Sequence, residues 1–193
     1  MADSGFNMKW ILGLIGFVLV VFLICMGSYN SLVSSNEAVE AQWSQVENVM
    51  QRRFDLIPNL VNTVKGYAKH EKEVLEEVTR LRSQWGAAQT RDQKVQTSDQ
   101  LDGTLNHLMV VLENYPDLKA NEDFLKLQDE LAGTENRIAV ERQRYNEAVQ
   151  DYNVKVRSFP SNIMASIGGF QRKDTYFKAE SGADQAPKVD FSN

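Results

Sequence analysis

The run WILGLIGFVLVVFLICMG, residues 10–27, is apolar or glycine throughout and carries no charge. A run of this length crosses the hydrocarbon core of a bilayer as a helix, because about 20 residues rising about 1.5 Å each span that core. Trp10 and Tyr29 stand at its two ends, where amphipathic rings favour the boundary between hydrocarbon and water. We therefore predict a transmembrane helix over residues 10–29, after an N-terminal segment of residues 1–9, with the lipid bilayer as a partner.

A short basic start followed by an apolar run is also typical of a secretory signal peptide, and CMG offers small residues near a cleavage point. We favour a retained helix over cleavage. Lipidation of Cys25 is disfavoured because the bulky Ile24 precedes it. Cys25 is also the only cysteine, so no disulfide can form within the chain.

The distribution of basic residues gives the orientation of the helix. Lys9 lies before the span, whereas the next basic residues, Arg52 and Arg53, lie beyond the window that usually counts. We expect the N-terminus inside the cell and the following domain outside the cytoplasm.

Two apolar columns recur every seven residues after the membrane run, and eleven of their thirteen positions are apolar or aromatic. Such a repeat predicts a long helix that packs along a seam. We predict one continuous helix from Val39 to Trp85, about 70 Å long. The positions are Trp43, Met50, Ile57, Val64, Glu71, Val78 and Trp85 in one column, and Val46, Arg53, Leu60, Tyr67, Val74 and Leu81 in the other.

Two further stripes predict two more helices, and turn-forming residues in GAAQTRDQ and NYPDLKAN separate them, with Pro160 after the last. The sequence therefore predicts an all-α fold: a transmembrane helix followed by an elongated antiparallel bundle of three long helices over residues 30–160. One stripe is spaced four, three, four, three, and the other is spaced by seven: Leu101, Leu105, Leu108, Leu112 and Tyr115, then Phe124, Leu131, Ile138, Tyr145, Tyr152 and Phe159.

Pro58 interrupts the first helix in the stretch QRRFDLIPNLV. Its ring presses on the preceding turn and it cannot donate to the carbonyl of Phe54, so a helix that continues through it bends. The seven-residue phase is kept across Pro58, which favours a kink. The alternative is a new helix with Asp55 as its N-cap and Pro58 in its first turn.

Arg53 and Glu71 are the two polar exceptions in the columns. The last helix offers carboxylates, Glu135 and Glu141, and a buried pair of Arg53 with Glu141 would fix the register of two helices. The alternative, equally weighted, is that Arg53 and Glu71 are solvated at the rim of the bundle.

Residues 161–193 form a short amphipathic segment and a polar C-terminal tail. We favour a helix cap followed by a loose tail. The alternative is a strap that docks on a neighbouring subunit or on lipid headgroups. The terminal PKVDF, with Val189 and Phe191 as anchors, suits a neighbouring subunit better. The apolar residues of the amphipathic segment are Ile163, Met164, Ile167 and Phe170.

The charge balance argues against a nucleic-acid partner. The 193 residues carry 21 Lys and Arg against 26 Asp and Glu, a net charge of -5, with no basic cluster interleaved with aromatic residues. The chain also contains no GxxxxGK[ST], GxGxxG or GxSxG motif.

The histidines do not form a recognisable metal motif. KHEKE lacks the second histidine of a zincin helix, because Val74 occupies that position. His70, Glu73 and Glu77 could share one helix face and loosely hold a metal ion. We favour a solvated, charged face with pairs such as Lys72 with Glu76. His107 lacks the Glu-x-x-His partner of di-iron bundles. We expect no catalytic, cofactor-binding or metal-binding residue, no cofactor and no enzymatic activity.

Three stretches, YNSLVSSNEAVEAQWSQVENVMQRRFDLIPNLVNTVKGYAKHEKE, NYPDLKANEDFLKLQDELAGTENRIAVERQRYNEAVQDYNVKVRSFP and the closing APKVDF, closely resemble the bacterial LemA family. The resemblance covers nearly the entire chain. It implies a single-pass protein of the bacterial inner membrane with a small helical bundle, and relatives associated with magnetosome membranes. It brings no catalytic residues with it.

Two functions fit these features. The first is a non-enzymatic scaffold, in which the bundle stands on the membrane and its long seams associate with copies of the chain, so that a homo-oligomer organises or shapes the bilayer. The second is an adaptor that presents the bundle or the tail to another membrane protein, such as a protease or a quality-control factor.

Overall fold

The computed structural model describes residues 4–68 and 70–177, with side chains from Met8 onward. These residues form helices and no strand, so the predicted all-α fold class is confirmed. The helices are α1 Ser4–Tyr67, α2 Lys72–Ala87, α3 Arg91–Leu112, α4 Pro116–Lys119, α5 Glu122–Arg157 and α6 Ser161–Gly168.

Helix α1 is one unbroken rod of 64 residues. At about 1.5 Å per residue it is about 96 Å long. Its N-terminal part is apolar and long enough to cross a membrane. The large apolar side chains from Trp10 to Met26 are between 42% and 67% exposed, so this part of α1 is not the core helix of a soluble domain. Such a surface suits the hydrocarbon of a bilayer, so this part of α1 is a candidate membrane span.

Helix α1 ends at Tyr67, which corrects the prediction of one helix from Val39 to Trp85. The chain turns back and α2 runs along α1 in the opposite direction. The ring of Trp85 consequently stacks on Phe54, with centroids 4.8 Å apart and planes at 20°. The first of the three predicted helices is therefore two helices, and four helices form the bundle.

The seven-residue repeat concealed this turn because the apolar phase is the same on both sides of it. Val64 precedes the turn and Val78 follows it, and both side chains are fully buried. A periodic pattern records which face of a helix is buried and carries no information on the direction of the chain. Between them, Glu71 lies just before α2 and accepts a hydrogen bond from the Tyr115 hydroxyl at 2.8 Å, so it is not a seam residue.

Helix α3 runs in the same direction as α1, because the residue numbers on both helices rise together from one ion pair to the next. Glu40 pairs with Arg91 and Glu47 pairs with Lys94. The turn before α3 is fixed by a capping box, in which the Thr90 side chain accepts from the backbone N–H of Gln93 and the Gln93 side chain accepts from the backbone of Thr90. Such a box satisfies two N–H groups that the helix itself leaves unpaired.

Helix α5 runs antiparallel to α1 and forms its main packing partner. At the end far from the membrane segment, Asn121 donates to the Tyr67 hydroxyl at 3.1 Å. At the near end, which we call the base, Lys155 donates to the Ser35 hydroxyl. The bundle thus consists of residues 32–67 of α1 with α2, α3 and α5, arranged alternately up and down.

The predicted columns fill the core of this bundle. Trp43, Ile57, Val78, Ile138 and Tyr152 are all buried. Two column residues are exposed. Tyr67, the last residue of α1, is 44% exposed, and Phe159, which lies beyond the end of α5 at Arg157, is 80% exposed.

Pro58 lies inside α1, and the helix continues through it. The alternative of a new helix capped by Asp55 is therefore wrong. Gln51 donates to the Asp55 carboxylate at 2.7 Å across one turn, an ordinary pairing on a helix surface.

Candidate functional site

The residues considered for metal binding lie on the surface. His70 and His107 are both exposed. A shallow cleft between α2 and α3 brings His107, and not His70, beside Glu73 and Glu77. Across the described ranges 4–68 and 70–177, no group of three or more His, Cys, Asp or Glu residues could hold a metal ion.

The acidic face of α2 forms pairs with its own lysine and arginine residues. Arg80 donates to Glu77 at 2.6 and 2.7 Å, and these hydrogen bonds hold the pKa of Glu77 below its ordinary value. The predicted pair of Lys72 with Glu76 is present at 3.5 Å. The predicted charged pairs on α2 are therefore confirmed, but His70 precedes α2, which begins at Lys72, and does not share a helix face with Glu73 and Glu77.

An ionic cluster with a buried core and a solvated rim joins three helices of the bundle; Glu135 and Asp99, at its rim, are 46% and 58% exposed. Arg53 of α1 is 2% exposed and pairs with Asp102 of α3 and with Glu135 of α5. Arg142 of α5 reaches the same Asp102 at 3.5 Å and Asp99 at 3.1 Å. We call these five residues the ionic cluster, and it ties three helices together.

The ionic cluster confirms that Arg53 is buried and paired, and corrects its partner. Glu141 pairs with Arg144 on its own helix at 2.8 Å. Glu135 lies six residues earlier on α5, which is about 9 Å along the axis, and this is the residue that the packing of α1 on α5 brings to Arg53. Burial lowers the pKa of the Arg53 guanidinium and the nearby charge of Glu135 opposes this shift. Arginine keeps its charge in such a site.

Residues 169–177, which we call the strap, return from the base along α5. Gly169 ends α6 with a φ of 72°, a left-handed conformation that glycine adopts without strain. The strap then runs antiparallel to α5, because Gln171 accepts from the Tyr152 hydroxyl at 2.9 Å and Phe177 contacts Asn146, which lies earlier on α5.

Two asparagines of α5 hold the backbone of the strap. Asn153 donates to the carbonyl of Lys173 at 2.7 Å and accepts from the N–H of the same residue at 2.9 Å. Asn146 forms the same two bonds with Phe177, at 2.9 and 3.0 Å. A side-chain amide offers one donor group and one acceptor group. Each asparagine can therefore bind the backbone N–H and C=O of a strap residue whatever side chain that residue carries.

The end of the strap closes an aromatic box. Phe177 is 8% exposed and stacks on Trp43, with centroids 6.1 Å apart and planes at 11°. Tyr145 meets Phe177 edge to face at 5.5 Å. The guanidinium of Arg142 lies 5.1 Å from the centre of the Phe177 ring, so Arg142 connects the strap to the ionic cluster.

Glu40 of α1 completes the site from the other side. Lys173 of the strap donates to Glu40 at 2.7 Å, and Arg91 of α3 pairs with it as well. Burial alone would raise the pKa of Glu40, but the hydrogen bonds from Lys173 and Arg91 outweigh it and the pKa lies below its ordinary value of 4.5. Three segments of the chain therefore meet at one carboxylate.

The structure corrects the prediction of a loose tail for part of residues 161–193. The strap, residues 169–177, docks on the bundle of its own chain, so this part of the segment is not a loose tail. The anchors Val189 and Phe191 lie outside the described residues.

Sequence reasoning did not identify Asn146, Asn153 or Arg142. The signal was the position of the two asparagines, seven residues apart and each next to a buried tyrosine of the column. Their partners lie in a segment without periodicity, so no pattern linked the two.

This chain is similar in sequence to known proteins. A model of the LemA family matches residues 42–191. Protein LemA of Metamycoplasma hominis is 25% identical over 172 residues, which is 89% of this chain and 76% of the relative. Magnetosome protein MamQ 2 of Paramagnetospirillum magneticum is 26% identical over 200 residues, which is 90% of this chain and 72% of the relative. Magnetosome protein MamQ of Magnetospirillum gryphiswaldense is 24% identical over 198 residues, covering 89% and 71%.

Proposed function

The chain belongs to the LemA family, and from this premise we propose that it is a non-enzymatic, membrane-anchored scaffold that assembles with copies of itself, so that its rigid bundle organises or shapes the bilayer. The observation that carries the proposal is the continuity of α1. The same helix that is apolar and exposed at its N-terminus becomes the central helix of the bundle, with no loop between the two parts.

This continuity couples the bundle to the membrane mechanically. Leu32 is fully buried and lies only five residues beyond Gly27. That separation is about 7–8 Å along a helix, comparable to the headgroup layer, so no flexible stalk separates bundle and bilayer. A tilt of the membrane helix therefore becomes a tilt of the whole bundle.

The ionic cluster supports a scaffold because it holds three helices in one register. A buried ion pair adds little net stability, since desolvation offsets most of the attraction. It does disfavour arrangements in which Arg53 slides away from Asp102 and Glu135, because a displaced charge would be buried without a partner. A rod that keeps one shape is what a scaffold requires.

Self-assembly has to use another surface than the one first expected. The apolar seams are filled by the helices of the same chain. The apolar side chains from Ile11 to Met26 are exposed, and we assign the contact between copies to this part of α1.

Native mass spectrometry of the full-length protein from lipid nanodiscs tests the assembly. We expect masses of multimers that persist across a dilution series. A control variant carries a leucine and alanine helix in place of residues 11–26, and we expect it to remain inserted but to lose the multimers. Monomers at every concentration would end the self-assembly proposal.

An adaptor is the second candidate, favoured by the anchoring of Phe177. Because Asn146 holds both backbone groups of Phe177, the residues that follow start from a fixed point on the bundle. A photo-crosslinker at Phe191 separates the two functions. Adducts between copies support the scaffold, and adducts with one distinct membrane protein support the adaptor.

We further propose that the protein is a single-pass protein of the bacterial inner membrane with its bundle outside the cytoplasm. Lys9 lies just before the apolar run and no basic residue follows the run until Arg52, and this asymmetry supports the orientation. Protease treatment of sealed, oriented vesicles tests it, and a bundle protected on the cytoplasmic side would reverse it.

A further inference from the structure

A stripe of exposed apolar side chains lies at the base of the bundle. Phe159, Ile163 and Ile167 follow one another at intervals of four, and they are 80%, 49% and 75% exposed. Ile163 and Ile167 share one face of α6, because residues four apart lie above one another on a helix. We call these three residues the base stripe. Ala165, on the other side of α6, is buried against the bundle.

The end of α6 is held close to the part of α1 that leaves the membrane run. The ring of Phe170 meets the ring of Tyr29 edge to face at 5.7 Å. At Gly168 a Cβ atom would lie 3.2 Å from the Tyr29 ring and 2.8 Å from the Phe170 ring. The absence of a side chain at Gly168 therefore allows this close approach.

The position of Tyr29 fixes the height of α6 above the hydrocarbon. Tyr29 lies two residues beyond Gly27, which is about 3 Å along the axis of α1. The headgroup layer on one side of a bilayer is about 5–8 Å thick. The end of α6 is therefore at the level of the headgroups when the apolar run fills the hydrocarbon core.

The charges around the base stripe suit a lipid surface. From Tyr152 to Lys173 the chain contains no carboxylate and four basic residues, Lys155, Arg157, Arg172 and Lys173. Lys155 and Lys173 are used within the bundle and Arg172 pairs with Asp174 at 2.7 Å, whereas Arg157 is exposed. Basic residues at the membrane surface are attracted to anionic headgroups.

We propose that the base stripe is a second membrane contact, which enters the headgroup and upper acyl region of the same leaflet from which α1 emerges. An interfacial helix buries its apolar face about 5–10 Å into this region. Two contacts, one spanning and one lying on the surface, hold the bundle at a fixed rotation about α1. The inference rests on the membrane anchoring in the proposed function and does not depend on self-assembly.

Depth-dependent quenching in lipid vesicles tests this contact. Cys25→Ser removes the natural thiol, and a polarity-sensitive fluorophore is then placed on the full-length chain by Ile167→Cys. A lipid with a nitroxide near the top of its acyl chain serves as the quencher. We expect the fluorophore at position 167 to emit at a shorter wavelength than one exposed to water, and to lose most of its intensity when this lipid is present.

Two reference positions complete the experiment. Val110→Cys places the fluorophore on a residue that is 66% exposed near the far end of α3, where we expect no quenching. Val18→Cys places it within the apolar run, where we expect quenching by a nitroxide deep in the acyl chain. If position 18 is quenched but neither position 167 nor position 110 is, the base stripe does not contact the membrane and the proposal fails, while the anchor stands. Absent quenching at 18 overturns the anchor and this inference together.

A matched set of charged variants gives a second readout. With the fluorophore on Phe159→Cys, the double change Ile163→Asp and Ile167→Asp should abolish the quenching, because carboxylates are expelled from the apolar region. Val110→Asp with Val140→Asp should leave it unchanged. A short-wavelength signal at position 167 without quenching by any lipid would mean that a protein surface covers the stripe, and would also overturn the proposal.

Discussion

Phe177, which follows α6, lies flat on Trp43 of α1 with ring centroids 6.1 Å apart and planes at 11°. The side chain that ends the strap is thereby part of the core formed by α1 and α5. Folding of the bundle and docking of the strap are consequently linked, because Trp43 also packs edge to face on Tyr145 at 5.6 Å.

Phe177→Ala should release the strap and destabilise the bundle. We expect a loss of about 2–3 kcal/mol in the free energy of unfolding, which is below the range of about 3–5 kcal/mol for truncating a buried Phe, because the strap can detach and limit the cost. Denaturant titration of the full-length protein measures it. Val140→Ala, at an exposed position, should stay within about 0.5 kcal/mol. Equal midpoints for both variants would contradict the role of Phe177.

Asn153→Asp should open the strap without removing any apolar contact. The carboxylate cannot donate to the carbonyl of Lys173. The carbonyl oxygen of Lys173 therefore loses its donor and faces an oxygen of the new carboxylate. A lost buried hydrogen bond costs about 1–3 kcal/mol, and the open fraction should rise about tenfold or more. Trypsin cleavage after Lys173 reports this opening. Asn106→Asp, at an exposed site on α3, should leave the cleavage rate unchanged.

Much of the fold follows from periodicity, because Trp43, Ile57 and Ile138 each return to the same face and are buried. The reversal after Tyr67 does not follow from it. The four residues between α1 and α2 keep the apolar phase, so a straight helix and a hairpin predict the same buried positions. The hairpin is preferred because it packs Trp85 on Phe54 within the chain, which a straight helix cannot do.

The site was less predictable than the core. The seam made Arg53 conspicuous, but the choice between Glu135 and Glu141 depends on the axial register of two helices, which their sequences do not contain. The docking of Phe177 depends on Asn146. Both hydrogen bonds of Asn146 go to the backbone of Phe177, so they place no requirement on the type of residue at position 177.

The pair of Glu40 with Lys173 should make strap docking sensitive to acid. The pKa of Glu40 is lower in the folded chain than its ordinary value of 4.5, so its contribution is present above that value and is lost as the pH falls through the lower folded pKa. Glu40→Gln removes this contribution at all pH values. We therefore expect the wild type to exceed Glu40→Gln in stability at pH 7 and the difference to vanish in acid. A difference that is constant with pH would contradict the assignment.

Arg53 should be coupled to Glu135 and not to Glu141. Removal of Arg53 leaves the largely buried Asp102 with only the longer pair to Arg142 at 3.5 Å, and we expect Arg53→Ala to cost about 3 kcal/mol, the low end for breaking a buried pair. In a double-mutant cycle, Arg53→Ala with Glu135→Ala should show a coupling of about 0.5–3 kcal/mol, because the two side chains form one network. The same cycle with Glu141→Ala should show none, since Glu141 pairs with Arg144 on its own helix. Both cycles use unfolding of the full-length protein, and coupling to Glu141 alone would mean that α5 packs on α1 in a register shifted by about two turns.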